Sequence, residues 1–336
     1  MEAAGEGALI AQYLRPHTHR HPGAFALLDD AAALAVPEGH ELVVTADALA
    51  EGVHFLADDP AETLAVKALS VNISDLVAKG AAPFAYFLTL ALPERCGEAW
   101  LSCFAMGLGR VADGRLAGGD LIRTRGPLTL SVTALGLVPE GRMVRREGAK
   151  PGEEVFVSGL IGSAYLGLKC LVGESLGAVS SLDDSSRARL VGRYREPVVE
   201  MPERLAEGVR GVASAALDVS DGLILDAQRL ALVSGVAIDI EAERVPVDPA
   251  AERLIAEGAV VREALFTGGD DYCVLLTSPL CAQGLQAHPL WRERPPVSIG
   301  RVVDGPAGHV RLLDKAGNVV NIPRSGHDHF RKGGAE

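Results

Sequence analysis

The chain has 336 residues and a formal net charge of −12, with 48% apolar but only 4% aromatic residues. This length is long for a single core, so two domains of ordinary size are expected. An apolar, aromatic-poor composition is typical of packed α/β layers built from Ala, Val, Leu and Ile. The acidic balance argues against nucleic-acid binding and against an anionic membrane surface, because both require a basic face.

The cysteines are odd in number and show no C-x-x-C spacing. No signal-peptide pattern is present, and no apolar run reaches the roughly 18 residues of a membrane span. These observations predict a cytoplasmic protein with reduced thiols and no membrane segment. The five are Cys96, Cys103, Cys170, Cys273 and Cys281.

In the first half, the clearest element is a helix predicted at 61–79. Asp59 is its expected N-cap, Pro60 fits the first helical position and Gly80 can close its C-terminal end. The helical wheel places Asp75 on a face beside the apolar stripe. The other predicted elements are a short helix at 7–14, strands at 25–28, 42–47, 84–92 and 128–138, and a helix at 98–111.

A charge run with a Pro-Gly turn at 141–152 marks a boundary between two domains, which we place at 1–146 and 147–336. The second half restarts as alternating strands and helices and so predicts an α/β domain. Its predicted strands are 154–158, 213–217, 236–240, 272–277, 297–303 and 310–313, and its predicted helices are 163–172, 187–194, 201–209 and 223–233.

Aspartates recur where apolar runs end, which predicts that they converge on one site at the tips of strands. Two carboxylates about 4 Å apart repel by about 4 kcal/mol at an effective dielectric near 20, so such a group requires cations. Hard oxygen ligands select Mg²⁺ or Ca²⁺, and Mg²⁺ combines few carboxylates with water and phosphate oxygens. The aspartates are Asp29, Asp30, Asp47, Asp120, Asp218, Asp221, Asp270 and Asp271.

An ordinary turn or cap is the alternative for each aspartate taken singly, as for Asp221 before Gly222 or Asp120 after two glycines. Recurrence at five places makes that an incomplete explanation. Standard phosphate cradles are missing, since 162–169 lacks the GK[ST] of a P-loop. Several ions held by carboxylates, with local arginines, therefore indicate nucleotide phosphoryl transfer.

The ordered motifs of nearly the whole chain resemble the thiamine-monophosphate kinase family, within the superfamily that includes aminoimidazole ribonucleotide synthetase and selenophosphate synthetase. Its most specific motifs are N-I-S-D-L, G-V-H-F and D-V-S-D-G-L. The residues that carry the resemblance are Asp29–Asp30, Thr45–Asp47, Gly52–Phe55, Lys67–Leu76, Gly118–Asp120, Gly148–Gly152, Leu217–Leu223, Gly268–Tyr272 and Gly326–Phe330.

This resemblance implies ATP-dependent phosphorylation of thiamine phosphate to thiamine diphosphate. It also implies a strand-rich N-terminal domain that forms a homodimer, and a C-terminal α/β domain that closes over the nucleotide. Magnesium would be held by Asp30, Thr45, Asp47, Asp75, Asp120, Asp218 and Asp221. ATP would contact Gly119, Asp120, Arg146 and Ser220, and thiamine phosphate would face His54, Asp270 and His327.

Three positions depart from the family pattern. Leu28 stands where Gly is usual, Asp270 where Glu is common, and His327 where an aromatic stacking residue is usual. The acceptor is already an ionised phosphate, so no general base is expected and transfer should be direct and in line.

Two alternatives stay open. A sister enzyme of the superfamily would use the same fold, although residues 1–28 contain no Cys of the kind expected in selenophosphate synthetase. A non-catalytic nucleotide or metal sensor is the other.

Overall fold

A computed structural model describes residues 5–173, 179–322 and 326. The chain is mixed α/β and forms two compact units, Met1–Met143 with Val198–Ala206 and Val144–Pro197 with Glu207–Glu336. The division after residue 146 stays a prediction. Within the described residues, no helix combines the length and the apolar character needed to cross a membrane.

The first unit contains a four-stranded sheet in the order β1-β4-β2-β3. Strand β4 is antiparallel to both of its neighbours, whereas β2 and β3 are parallel. The strands are β1 (His40–Ala50), β2 (Ala82–Leu92), β3 (Leu116–Arg123) and β4 (Thr129–Pro139). The helices are α1 (Glu6–Leu9), which continues as a π-helix over Ile10–Leu14, α2 (Ala61–Ala78) and α3 (Glu98–Val111).

Alternation in β1 separates the two faces of this sheet, because successive side chains point to opposite sides. Val43 and Leu49 are buried, and Thr45 and Asp47 share their face. Leu42 and Val44 lie on the other face and are 38% and 59% exposed. The face of Thr45 and Asp47 is therefore the one covered by α2, which packs on β1, β4 and α3.

Helix α2 confirms the predicted helix but not its predicted N-cap. Fifteen of its 18 residues are buried, so it is enclosed rather than exposed along one side. The N-cap position is Pro60, which offers no side-chain bond. Asp59 instead accepts the Leu56 N–H at 2.9 Å and closes the preceding turn. At the other end, Gly80 has φ 70°, as the predicted glycine stop requires.

The predicted strand at 25–28 is wrong. Residues Pro22–Leu27 form 3₁₀ turns, with Phe25, Ala26 and Leu27 at positive φ. The preceding Pro-Gly favours a turn, and so short an apolar run finds no ladder partner. Leu28 is 73% exposed, which shows that its hydrophobicity is not used in a core.

The first-unit aspartates do not lie at strand tips, contrary to the prediction. Asp47 pairs with Val132 inside β1, and Asp120 pairs with Thr89 inside β3. The residues after Asp47 keep pairing with β4 as far as Ala50. The apolar runs therefore understated the lengths of both strands.

The second unit is built on a seven-stranded sheet in the order β11-β10-β7-β9-β5-β8-β6, in which only β10 and β7 are parallel. The strands are β5 (Glu154–Val157), β6 (Ala215–Asp218), β7 (Ala237–Glu241), β8 (Val274–Ser278), β9 (Val297–Val303), β10 (Val310–Leu313) and β11 (Val319–Val320). All six predicted strands are confirmed, and β11 was missed.

The predicted helices of the second half are also confirmed, with ends shifted by a few residues. They are α4 (Ser163–Val172), α5 (Asp184–Arg195), α6 (Pro202–Val212) and α7 (Leu223–Ser234). Three short α-helices that lie wholly within the described residues were not predicted, because none is long enough to show a helical period. These are α8 (Pro249–Ala256), α9 (Arg262–Leu265) and α10 (Ala282–Ala287).

Candidate active site

Three predicted ligands meet between β1 and α2 in the first unit. The Thr45 hydroxyl donates to Asp75 Oδ2 at 2.5 Å, which ties the strand to the helix. Asp47 is two residues further along β1 and therefore points to the same side as Thr45. We call Thr45, Asp47 and Asp75 the oxygen cluster.

Electrostatics make this cluster unfavourable as it stands. Burial, followed by the charge of Asp75, raises the pKa of Asp47 to about 6. Among the described residues, no three His, Cys, Asp or Glu side chains are arranged to hold a metal by themselves. Two carboxylates and a hydroxyl fit Mg²⁺, which takes few protein oxygens and fills its shell with water and phosphate oxygens.

Gly119 and Asp120 lie on β3, at the opposite edge of the sheet from β1. The ladder row runs Asp47–Val132–Leu88–Gly119, and three strand spacings separate its ends by about 14 Å. The structure therefore does not bring Asp120 into the oxygen cluster. Gly119 has φ 148°, and a Cβ there would lie 1.8 Å from the Leu88 carbonyl oxygen, so the position requires glycine.

Asp30 and His54 occupy loops of the same unit. Asp30 is exposed, and its N–H donates to Asp29 Oδ1 at 2.8 Å. His54 Nδ1 accepts the Ala50 N–H at 3.0 Å, which places the ring proton of a neutral imidazole on Nε2. Glu51 anchors the loop of His54 by accepting the Leu128 N–H at 3.1 Å and by forming an ion pair with Arg95.

The second unit presents Asp218–Gly222, which we call the aspartate loop, at the end of edge strand β6. Asp218 is buried, with 6% exposure. The segment Gly269–Cys273 runs alongside the loop, and the Asp270 N–H donates to the Ser220 carbonyl at 2.8 Å. A Cβ on Gly269 would lie 2.5 Å from the Ser220 carbonyl oxygen, so this approach depends on glycine.

Asp226, in the first turn of α7, is a site residue that the sequence analysis missed. It is 1% exposed, and its Oδ2 accepts the N–H groups of Ser220 and Asp221 at 3.1 and 3.0 Å. Burial and the charge of Asp221 raise its pKa to about 6. Its place on the apolar face of the predicted helix, in line with Leu223 and Leu230, was the signal that could have identified it.

Asp270 and Asp271 have different surroundings. Asp270 has φ 64° and its Oδ1 accepts the Tyr272 hydroxyl at 3.0 Å. Asp271 accepts the Gly162 N–H at 2.8 Å, at the start of α4, and burial raises its pKa to about 8. Asp271 thus holds the start of a helix. This role is closer to the structural cap that the sequence analysis gave as the alternative to metal binding.

The remaining predicted positions are Arg146 and His327. Arg146 is exposed in the segment before β5, and its carbonyl accepts the Ser234 hydroxyl at 3.5 Å. His327 lies outside the described residues.

Comparison with known proteins first defines the class. Residues 28–138 match the family model of the N-terminal domain of AIR synthase related proteins. The chain is 35% identical to thiamine-monophosphate kinase of Salmonella typhimurium over 98% of its own length and 99% of the relative. It is 43% identical to the Caulobacter vibrioides kinase over 78% of this chain and 74% of the relative.

A solved structure of AaThiL complexed with AMPPCP and TMP superimposes with a TM-score of 0.73 and 29% identity, covering 91% of this chain and 97% of that one. The chain belongs to the thiamine-monophosphate kinase family. The resemblance drawn from the motifs is thereby confirmed.

Proposed function

We propose that this protein transfers the terminal phosphoryl group of ATP to thiamine monophosphate, giving thiamine diphosphate and ADP. Family membership over 98% of the chain supplies the substrate class. The structural observation that carries the proposal is the oxygen cluster, because two carboxylates facing each other in a partly buried site require a cation.

The metal ligands proposed in the first unit are Asp30, Asp120 and the oxygen cluster. Asp218 and Asp221 are proposed in the second unit. Bound Mg²⁺ would neutralise the charge on the phosphate oxygens during transfer. What the chain itself supplies is position: Thr45 fixes Asp75 through its hydrogen bond, and the register of β1 aims Asp47 at the same side.

For ATP we propose contacts from Gly119, Asp120, Arg146 and Ser220. Gly119 is exposed on edge strand β3, where a phosphate can reach its backbone. Arg146 is exposed and can pair with a phosphate. The N–H and carbonyl of Ser220 are engaged by Asp226 and Asp270, which fixes the backbone from which its hydroxyl would reach a nucleotide.

For thiamine phosphate we propose His54, Asp270 and His327. The Ala50 N–H holds His54 through Nδ1 and so fixes the orientation of its ring. The Tyr272 hydroxyl fixes one oxygen of Asp270 and so limits its rotation. The acceptor oxygen is ionised at neutral pH, so the chain needs to hold and orient the two phosphates rather than remove a proton.

A homodimer in the cytoplasm is also part of the proposal. The sheet face opposite α2 exposes Leu42 and Val44, and exposed apolar side chains on a sheet are typical of a surface that binds another protein chain. A second copy using the same face would be an isologous pair. The absence of disulfides among the five cysteines agrees with a reducing compartment.

The test is an assay of ADP release with Mg·ATP and purified protein. Release that depends on thiamine monophosphate, with thiamine diphosphate as the product, is the expected result. Unphosphorylated thiamine serves as the control acceptor and should give no release above background. ADP release that is independent of thiamine monophosphate, or none at all, would reject the assignment in favour of a sister enzyme or a sensor.

A further inference from the structure

Asp226 is a buried carboxylate to which the proposed phosphoryl transfer assigns no role. We infer that it is a positioning residue: by accepting two consecutive backbone N–H groups, it fixes the aspartate loop so that Asp218 and Asp221 are presented in one geometry. This inference rests on the proposed function for the roles of those two aspartates. The geometry of the loop itself does not depend on it.

The contact with the loop is made through one oxygen. Asp226 Oδ2 lies 3.1 Å from Ser220 N and 3.0 Å from Asp221 N. Bonds from N–H groups to a carboxylate are stronger than bonds to a neutral acceptor. Asp226 sits in the first turn of α7, so the loop is tied to a 12-residue helix whose apolar side is buried.

The opposite side of the loop is held by a different segment. Asp270 N donates to the Ser220 carbonyl and Tyr272 N to the Val219 carbonyl, both at 2.8 Å. Ser220 and Asp221 are thus bonded through their N–H groups to Asp226, while Val219 and Ser220 are bonded to the segment Gly269–Cys273. Such a loop has little freedom to rotate a peptide plane, and its backbone fixes the direction of each Cα–Cβ bond.

The positive charge of Arg229 lies between the carboxylates of Asp226 and Asp221 and reduces their repulsion. Its guanidinium contacts the Asp221 carboxylate and donates to Asp226 Oδ1 at 2.8 Å. The contact with Asp226 does not use the oxygen that holds the loop. Asp221 can therefore exchange Arg229 for another cation while Asp226 keeps both its N–H bonds and its arginine.

The chain offers a matched control in Asp248, at the start of α8. Asp248 is 2% exposed, accepts the Ala250 N–H at 2.8 Å and pairs with Arg189 through two bonds of 2.8 and 2.9 Å. Like Asp226, it is a buried carboxylate held by backbone N–H and by an arginine, with one backbone donor where Asp226 has two. Within the described part of the chain, its side-chain bonds go to Ala250 and Arg189 and not to the aspartate loop, so its removal tests the purely structural cost.

The first measurement is hydrogen exchange of the metal-free protein, read on peptides that cover 218–222. Asp226→Ala should speed exchange of the Ser220 and Asp221 amides at least tenfold. Asp226→Asn keeps an oxygen acceptor and should retain part of the protection against exchange. This variant still tests the inference if the alanine variant does not fold. The Asp248→Asn and Asp248→Ala variants should leave these two amides unchanged, even where they lower Tm.

The second measurement is calorimetric binding of AMPPCP with Mg²⁺. We expect both Asp226 variants to weaken binding at least tenfold, Ala more than Asn, and the Asp248 variants to bind as the wild type does. Unchanged loop exchange in Asp226→Ala, or equal losses in the Asp248 variants, would overturn the inference. A wild type that lacks kinase activity would reject the proposed function instead, and the exchange comparison would still decide the role of Asp226.

Discussion

Replacing Asp47 by Asn tests the electrostatics of the oxygen cluster without any assay of activity. The pKa of Asp47 is raised from 3.8 to about 6, first by burial and second by the charge of Asp75. A shift of about two pKa units corresponds to about 3 kcal/mol, and screening by solvent at this half-buried site lowers the expected cost to about 1–2 kcal/mol. In the metal-free protein, Asp47→Asn should therefore be more stable than the wild type.

The sign of the pH dependence follows from the proton balance. Below about pH 4 the carboxyl is protonated in both the folded and the unfolded state, so Asp and Asn should be nearly equal. Between about pH 4 and 6 the unfolded chain releases the proton first, so the wild type loses stability as pH rises. Above about pH 6 the full difference should remain constant.

Urea unfolding in EDTA, at about pH 4, 5 and 7.5, measures this difference as a shift in the midpoint. Asp58→Asn is the control, because Asp58 is exposed in the same unit and its replacement should change the stability by less than about 0.5 kcal/mol. The reasoning would be refuted if Asp47→Asn gave no gain at pH 7.5, or the same gain at pH 4.

Three further predictions concern function and assembly. Asp218→Asn should lower kcat at least about 100-fold with native circular dichroism, because lost metal charge acts most strongly in the transition state; a near-normal kcat would remove Asp218 from the site. Mg²⁺ with AMPPCP should raise Tm well beyond either alone, and an equal rise with AMPPCP in EDTA would contradict binding through the metal. Val44→Glu should convert a dimer to a monomer in light scattering, since Val44 is 59% exposed on the face opposite α2, whereas a monomeric wild type would exclude the dimer.

Sequence patterns predicted most helices and strands because glycine, proline and polar residues mark where these elements begin and end. Helix α3 was predicted with its observed ends, Glu98 and Val111. The helix predicted at 223–233 ends one residue later, where Gly235 closes α7 in a left-handed conformation. The strand proposed at 25–28 failed because four apolar residues specify no pairing partner. A ladder is a property of two segments, and a single run does not encode the second one.

The site was predictable in its residue types and less so in its geometry. Thr45 and Asp75 are 30 residues apart, and only the packing of α2 on β1 makes the 2.5 Å bond between them. Asp226 was missed because a carboxylate inside a helix is ordinarily a solvated charge. Asp226 faces the backbone N–H groups of the aspartate loop, and predicting this would have required knowing the path of that loop.

Helix α2 has a consequence for genetic mapping of this protein. With 15 of 18 positions buried, almost any replacement along it will reduce folding, whether or not it touches the reaction. A mutational scan scored by growth will therefore show one continuous intolerant segment, in which Asp75 does not stand out. Only scores divided by protein abundance would separate it, since loss at Asp75 should persist at normal abundance while loss at its buried neighbours should not.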